Sequence, residues 1–146
     1  MQKIIIFDFM RTLYNPEQNS LVDGARELLE KLSEKDFILF LISTESTARA
    51  ELIEKLEITQ FFKKLIFTPK KTSADVKRLQ KHYPHDPKQS FVIGDRVRGE
   101  IKIGNLCGYQ TIWIQNGKFK TEAPRNATEV PDYIVFNLQE ITRLIR

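Results

Sequence analysis

Ile4-Ile5-Ile6-Phe7-Asp8-Phe9-Met10-Arg11-Thr12-Leu13 lies near the start of a 146-residue chain. Its four consecutive apolar side chains stop at a carboxylate. A short, continuously apolar run is the pattern of a strand covered on both faces, and an acid at its end belongs where the sheet meets solvent. The figure recurs down the chain. Phe37 to Ile42 is apolar and runs into Ser43-Thr44. Leu65-Ile66-Phe67 is closed by Pro69 and followed by Lys70-Lys71. Phe91-Val92-Ile93 ends at Gly94-Asp95. Thr111 to Ile114 and Tyr133 to Phe136 read as fifth and sixth strands.

Between these runs the apolar spacing changes from continuous to helical. Ala25, Leu28, Leu29 and Leu32 fall at i, i+3, i+4 and i+7. Leu52, Ile53 and Leu56 mark a second helix, and Val76, Leu79 and Tyr83 a third. Thr72-x-x-Asp75 resembles a capping box with Asp in place of Glu, and Asn137-x-x-Glu140 caps a last helix through Leu138, Ile141, Leu144 and Ile145. A short helix after Asp95 is expected to stop at Gly108. Residues 115–131 read as a loop. Strands alternating with helices predict one α/β domain over residues 1–146, a mainly parallel sheet with helices on both faces. Ligands of such sheets sit beyond the carboxyl ends of the strands. In chain order those ends carry Asp8, Ser43, the Lys70-Lys71 pair and Asp95.

Bulk properties agree with a globular protein: 41% hydrophobic and 29% charged residues. No apolar run approaches the roughly 20 residues of a membrane span. Asp8 interrupts the first apolar stretch too early for a signal peptide, and Cys107 is the single cysteine. These features predict a cytoplasmic protein without an internal disulfide. Residues 1–60 hold 7 Lys/Arg against 11 Asp/Glu, a net −4, whereas residues 61–146 hold 16 against 8, a net +8. The basic half suits either a solvated surface or an anionic partner, phosphate esters and nucleic acid among them.

Two carboxylates, a hydroxyl and a lysine at neighbouring strand ends suit a metal and a phosphate. Mg2+ favours one or two carboxylates plus phosphate oxygens and water. A carboxylate beside it stays ionised and can attack phosphorus. Serine and lysine would hold the remaining phosphate oxygens.

The order Asp, Ser, Lys, Asp resembles the four motifs of the haloacid dehalogenase (HAD) superfamily. IIIFDFMRTL is similar to an apolar strand followed by D-x-D-x-T-L, with Asp8 at the nucleophile and Thr12-Leu13 at the motif's end. FLIST resembles the second motif at Ser43. FTPKKT resembles the third, with Lys70 aligning better than Lys71 by its distance to Leu79. FVIGDRVRGE resembles the fourth, with Asp95 and a trailing Glu100. The resemblance implies a Rossmann-like three-layer sandwich and a phosphatase-type hydrolase acting through an aspartyl-phosphate on Asp8. It implies Mg2+ held by Asp8, the Met10 carbonyl and Asp95, with Glu100 as a direct ligand or an outer partner. It places Asp8, Ser43 and Lys70 in catalysis, and Thr12, Ser43, Thr44, Lys70 and Lys71 at the substrate.

Position 10 departs from the pattern. The motif's second acid, which protonates the leaving group and later activates water, is Met10 here. The chain therefore reads as a slow phosphatase, or as a phosphate- and Mg2+-binding module serving as sensor or partner subunit. Only 34 residues separate Asp8 from Ser43 and 26 separate Ser43 from Lys70, too few for an inserted cap. A capless site implies an open face, a macromolecular phosphorylated substrate, or closure by a second subunit. Lys70, Lys71, Arg96 and Arg98 are then expected to gather on that face, although Arg11, Arg96 and Arg98 read equally as solvated or acid-paired. His82 and His85 lie far from any strand-end acid, and Tyr109, Trp113 and Cys107 read as core. A receiver-type signalling domain places its acceptor Asp after the third strand and does not fit this order.

Overall fold

The computed structural model describes residues 2–145. Six parallel strands form the main sheet: β1 (Lys3–Asp8), β4 (Phe37–Thr44), β5 (Phe62–Thr68), β6 (Phe91–Gly94), β7 (Gln110–Ile114) and β8 (Tyr133–Val135), in the order β5-β4-β1-β6-β7-β8. Helices α1 (Ala25–Glu34), α2 (Thr47–Lys55), α3 (Ser73–His82), α4 (Lys102–Leu106) and α5 (Ile141–Leu144) connect or flank them. The expected doubly covered sheet is what the chain builds.

Strand periodicity sorts the core into two layers. Ile5, Phe7, Leu39, Leu41, Phe91, Ile93 and Ile112 share one face with Leu28, Leu29 and Leu32 of α1, Ile53 of α2 and Ile141 of α5. Ile4, Ile6, Phe40, Ile42 and Val92 share the other with Val76 and Leu79 of α3. Covered on both faces, the middle of β1, β4 and β6 has no position facing water, which is why these strands read as unbroken apolar runs. Gly104 lets α4 lie close to the sheet: a Cβ there would come within 2.7 Å of Thr111 and 2.9 Å of Val92.

The local signals hold. Thr72 N–H donates to Asp75 Oδ2 at 2.9 Å at the start of α3. Asn137 Oδ1 accepts from Glu140 N–H at 3.0 Å, starting a 3-10 turn that leads into α5. Gly108 adopts φ 85° just past α4, the left-handed stop expected of it. Ser46 is the N-cap of α2, accepting from Arg49 N–H at 3.2 Å.

One element was not foreseen. Between β1 and α1 the chain makes a tight turn and a small antiparallel hairpin, β2 (Tyr14–Asn15) with β3 (Ser20–Leu21). The Phe9 carbonyl accepts from the N–H groups of Thr12, Leu13 and Tyr14 at 3.2, 2.9 and 3.1 Å, winding residues 9–14 into one compact coil. Within it Arg11 takes φ 63°, a left-handed conformation unusual for a side-chain-bearing residue. No inserted cap interrupts the chain between Asp8 and Ser43 or between Ser43 and Lys71. No described helix is long and apolar enough to cross a membrane.

Candidate active site

The parallel register brings the strand ends together. Asp8, the last residue of β1, pairs with Ile42 of β4, so Ser43 stands one step further along the neighbouring strand. On the other side Phe7 pairs with Ile93, and Gly94-Asp95 extend past it. Asp8 is 4% exposed, Ser43 1%, Asp95 3% and Glu100 6%. Carboxylate oxygens of Asp8, Asp95 and Glu100 all lie within 4.8 Å of one another.

Glu100 reaches this cluster because the chain after β6 does not enter an ordinary helix. Residues 97–101 form a single wide turn with five-residue spacing, bent at Gly99. Such turns recur at functional sites because they re-aim a side chain. Gly94 makes room: a Cβ there would lie 2.7 Å from Glu100 Cβ and 2.9 Å from its Oε2. Any larger residue at position 94 would push the third carboxylate out of the cluster.

Lys71 closes the site. Its Nζ donates to Asp8 Oδ1 at 2.6 Å and also to Glu100 Oε1. Lys70, favoured by sequence spacing, is exposed, and its backbone carbonyl instead accepts from Thr68 Oγ1 at 3.1 Å. The lysine that reaches Asp8 is therefore Lys71. Thr12 Oγ1 donates to Asp8 Oδ2 at 3.2 Å, so both oxygens of Asp8 are held. Ser43 Oγ accepts from Arg49 at 3.3 Å, while Thr44 is exposed. Met10 is half-buried and packs against the larger core cluster.

Two further residues position the site without having been singled out for it. The Trp113 indole N–H donates to the Asp95 carbonyl at 2.8 Å, fixing the backbone that carries this carboxylate. Arg49 holds Ser43. Trp113 reads as core in the sequence and is indeed buried, beside Val97 and Ile101; the available signal was that a buried indole N–H needs an acceptor.

Of the four cations expected on the strand-end face, Lys71, Arg96 and Arg98 are engaged in contacts and Lys70 is exposed. Lys71 points inward. Arg96 grips Glu122 at 2.9 Å, and Arg98 donates to the Ala123 carbonyl at 3.1 Å with Glu129 4.0 Å away. The loop after β7 supplies these acids, so the acid-paired reading of Arg96 and Arg98 is the one observed. His85 is buried between the Tyr83 carbonyl and the Tyr109 hydroxyl, away from the acids.

The electrostatics of the cluster are those of a site built for more positive charge than one lysine provides. Burial pushes Asp95 up to about 8, with the charges of Asp8 and Glu100 adding to it. Burial likewise pushes Glu100 up to about 7, helped by Asp8 and opposed by Lys71. Burial alone would lower the Lys71 ammonium, but Asp8 and Glu100 outweigh it and hold it above its ordinary value. Asp95 Oδ2 and Glu100 Oε2 are buried with no hydrogen-bond partner. Buried carboxylate oxygens are normally paired or ligated. Three carboxylates and one ammonium, all ionised, sum to −2, the complement of a divalent cation. The donor set thus fits Mg2+, which takes carboxylate oxygens and retains water.

The folded carboxyls of Asp95 and Glu100 bind protons more tightly than in the unfolded chain, where they ionise near 3.8 and 4.5. Their contribution is thus fully present below those values and is lost as pH rises through about 7 to 8. Without metal, the thermal midpoint should fall between pH 5.5 and 8.5. Excess Mg2+, binding the ionised form, should raise it most at the alkaline end. Scanning calorimetry across that range checks both; a Mg2+ effect larger at pH 5.5 than at 8.5 contradicts the assignment.

Comparison with known proteins gives the family. Residues 69–141, half of the chain, match the family model described as HAD-hydrolase-like. The chain belongs to the HAD-like hydrolases. It is 25% identical over 130 residues to a glyceraldehyde 3-phosphate phosphatase of Pyrococcus furiosus, covering 85% of this chain and 54% of that protein. It is 30% identical over 103 residues to the Pyrococcus abyssi enzyme of the same name, covering 66% and 43%. The chain thus spans about half the length of these curated relatives. Among solved structures, D,D-heptose 1,7-bisphosphate phosphatase from B. bronchiseptica, complexed with magnesium and phosphate, superposes with a TM-score of 0.82. That match covers 99% of this chain and 98% of the other at 12% identity, and so speaks for the Rossmann-like fold alone.

Proposed function

We propose that this HAD-like domain is a Mg2+-dependent phosphatase whose nucleophile is Asp8. The observation that carries the reading is the triplet of buried carboxylates within 4.8 Å, two of them with unpartnered oxygens, bridged by Lys71. The glyceraldehyde 3-phosphate phosphatase relatives support a phosphate ester as substrate.

In this reading Asp8, Asp95 and Glu100, with the Met10 carbonyl, would hold the cation. Bound there, Mg2+ supplies positive charge against the phosphoryl oxygens. The chain's own residues do the rest. Thr12 and Lys71 orient the Asp8 carboxylate, which attacks phosphorus; the bond to the leaving oxygen breaks and an aspartyl-phosphate forms. The Lys71 ammonium balances charge on the transferred group, and the Ser43 hydroxyl offers its proton to a phosphoryl oxygen. Water then displaces phosphate from Asp8. Met10 has no proton to give or take, so neither the leaving group nor that water receives help from position 10. This favours a second reading for substrates with poor leaving groups: a module that binds Mg2+ and phosphate and turns over little.

The test is Mg2+-dependent hydrolysis of an aryl phosphate. Activity should vanish in Asp8→Asn and with chelator, and calorimetry should show weakened Mg2+ binding in Asp95→Asn. Hydrolysis that persists in Asp8→Asn, or unchanged Mg2+ affinity in Asp95→Asn, would sink the assignment.

A further inference from the structure

Beside the carboxylates lies a second charged group that the phosphoryl chemistry does not use. Phe119, in the loop after β7, is flanked by three cations. Arg96 lies 4.4 Å from its ring centre, Lys118 5.4 Å and Arg11 5.9 Å. Arg96 directly follows Asp95, and Arg11 stands three residues beyond Asp8, so this aromatic rests against the same two loops that carry the site. The three cations differ in what they are committed to. Arg96 is neutralised by Glu122. Lys118 is exposed and has no carboxylate partner among the described residues. Arg11 has one contact at 3.3 Å to Glu17, an acid 62% exposed, while its Nε is buried with no partner.

Arg11 is also held at a conformational cost. Its φ of 63° suits glycine, and a left-handed residue bearing a side chain is strained. Strain of this kind is concentrated where a side chain must be aimed. Arg11 and Lys118 line a cavity of about 300 Å3, walled also by Asn15, Val22, Ile114 and Asn137. Two acids share its lining. Asp23 is engaged by Gln139 at 3.3 Å, and Glu17 is exposed enough to turn to solvent when another anion takes Arg11.

We propose that this cavity receives the far end of the substrate and that Arg11 and Lys118 bind a second anionic group there. The inference rests on the phosphatase reading of Asp8 and deepens it: the substrate class becomes a small phosphate ester bearing another acid, a carboxylate or a second phosphate. It also replaces the macromolecular substrate suggested by an open basic face, since Arg96 and Arg98 are already paired. A guanidinium offers a forked donor pair to either oxyanion, and Lys118 adds a point charge that follows it.

The experiment compares matched probes by calorimetry in excess Mg2+: glycerol 3-phosphate against 3-phosphoglycerate, and fructose 6-phosphate against fructose 1,6-bisphosphate. The member with a second anionic group in at least one pair should bind tenfold or more tightly, and which pair responds tells carboxylate from phosphate. Arg11→Gly, whose residue suits the backbone and keeps the fold, and Lys118→Ala should each cut that preference by about tenfold. Arg11→Gly should also raise the thermal midpoint, since strain is removed. No preference in either pair, or a preference that both variants retain, overturns the proposal. Aryl phosphate hydrolysis by Met10→Asp, run in parallel, separates the two ideas. Asp8-dependent hydrolysis without preference for a second anionic group leaves the phosphatase standing and removes the cavity's role; preference without hydrolysis does the reverse.

Discussion

Met10→Asp should raise the hydrolysis of alkyl phosphates by about 10²- to 10⁴-fold, the usual worth of a positioned general acid or base. Asp8, Thr12, Ser43, Lys71, Asp95 and Glu100 are already gathered, so one carboxyl completes the set rather than creating it. The size of the gain should depend on the leaving group. An alkoxide is a poor leaving group and needs a proton as its bond to phosphorus breaks. A nitrophenolate leaves without one. Wild-type protein should therefore release nitrophenol in a burst of about one equivalent as Asp8 is phosphorylated, then slow, because nothing at position 10 activates the water for the second step. In Met10→Asp the burst should merge into a fast steady state. Stopped-flow absorbance resolves both phases, and Asp8→Asn placed in the Met10→Asp background should abolish them. A gain that survives Asp8→Asn, or that is equal for alkyl and aryl esters, means position 10 does not act as acid and base at this site.

How much of this was legible in the sequence depended on whether a residue's role was set locally or by a loop. The strands were legible because a parallel strand covered on both faces must be apolar throughout, and each run ended visibly at Asp8, Ser43 or Asp95. Caps at Thr72 and Asn137 and the stop at Gly108 were legible because a backbone group three or four residues away decides them. The β2–β3 hairpin was not. Two-residue strands carry no periodicity, and residues 9–14 are coiled by three donors converging on one carbonyl, which no spacing rule reports. That Lys71 rather than Lys70 contacts Asp8 was hidden for a similar reason. Distance to Leu79 measures the helix, but the direction of each lysine is fixed by the turn between Thr68 and the start of α3. There Thr68 Oγ1 ties down the Lys70 carbonyl, Thr72 takes the capping position, and the residue just before the cap faces Asp8. Glu100 was found as a trailing acid, yet its entry into the cluster depends on a wide turn at residues 97–101 and on the missing side chain of Gly94.

That geometry yields a paired test. Lys71→Met should lower kcat/KM on any phosphate ester by about 10²- to 10³-fold, the cost of removing one preorganised charge-stabilising donor. Lys70→Met, which alters an exposed side chain, should stay within about threefold. Metal binding should respond in the opposite sense from activity. With Lys71 in place the three ionised carboxylates and the ammonium sum to −2; without it they sum to −3 and Lys71 no longer competes for Asp8 and Glu100. Mg2+ should then bind Lys71→Met as tightly as wild type or more so at pH 9, where both raised carboxyls are ionised. At pH 6 the advantage should shrink, because losing the ammonium that lowers Asp95 and Glu100 leaves them protonated to higher pH. Calorimetric titration with Mg2+ at the two pH values, beside steady-state kinetics of both variants, gives the answer. If Lys70→Met loses the activity instead, the sequence alignment was right and the loop takes another conformation when substrate binds. If Lys71→Met loses Mg2+ affinity at both pH values along with activity, its part is to hold Asp8 and Glu100 in place rather than to meet the phosphoryl charge.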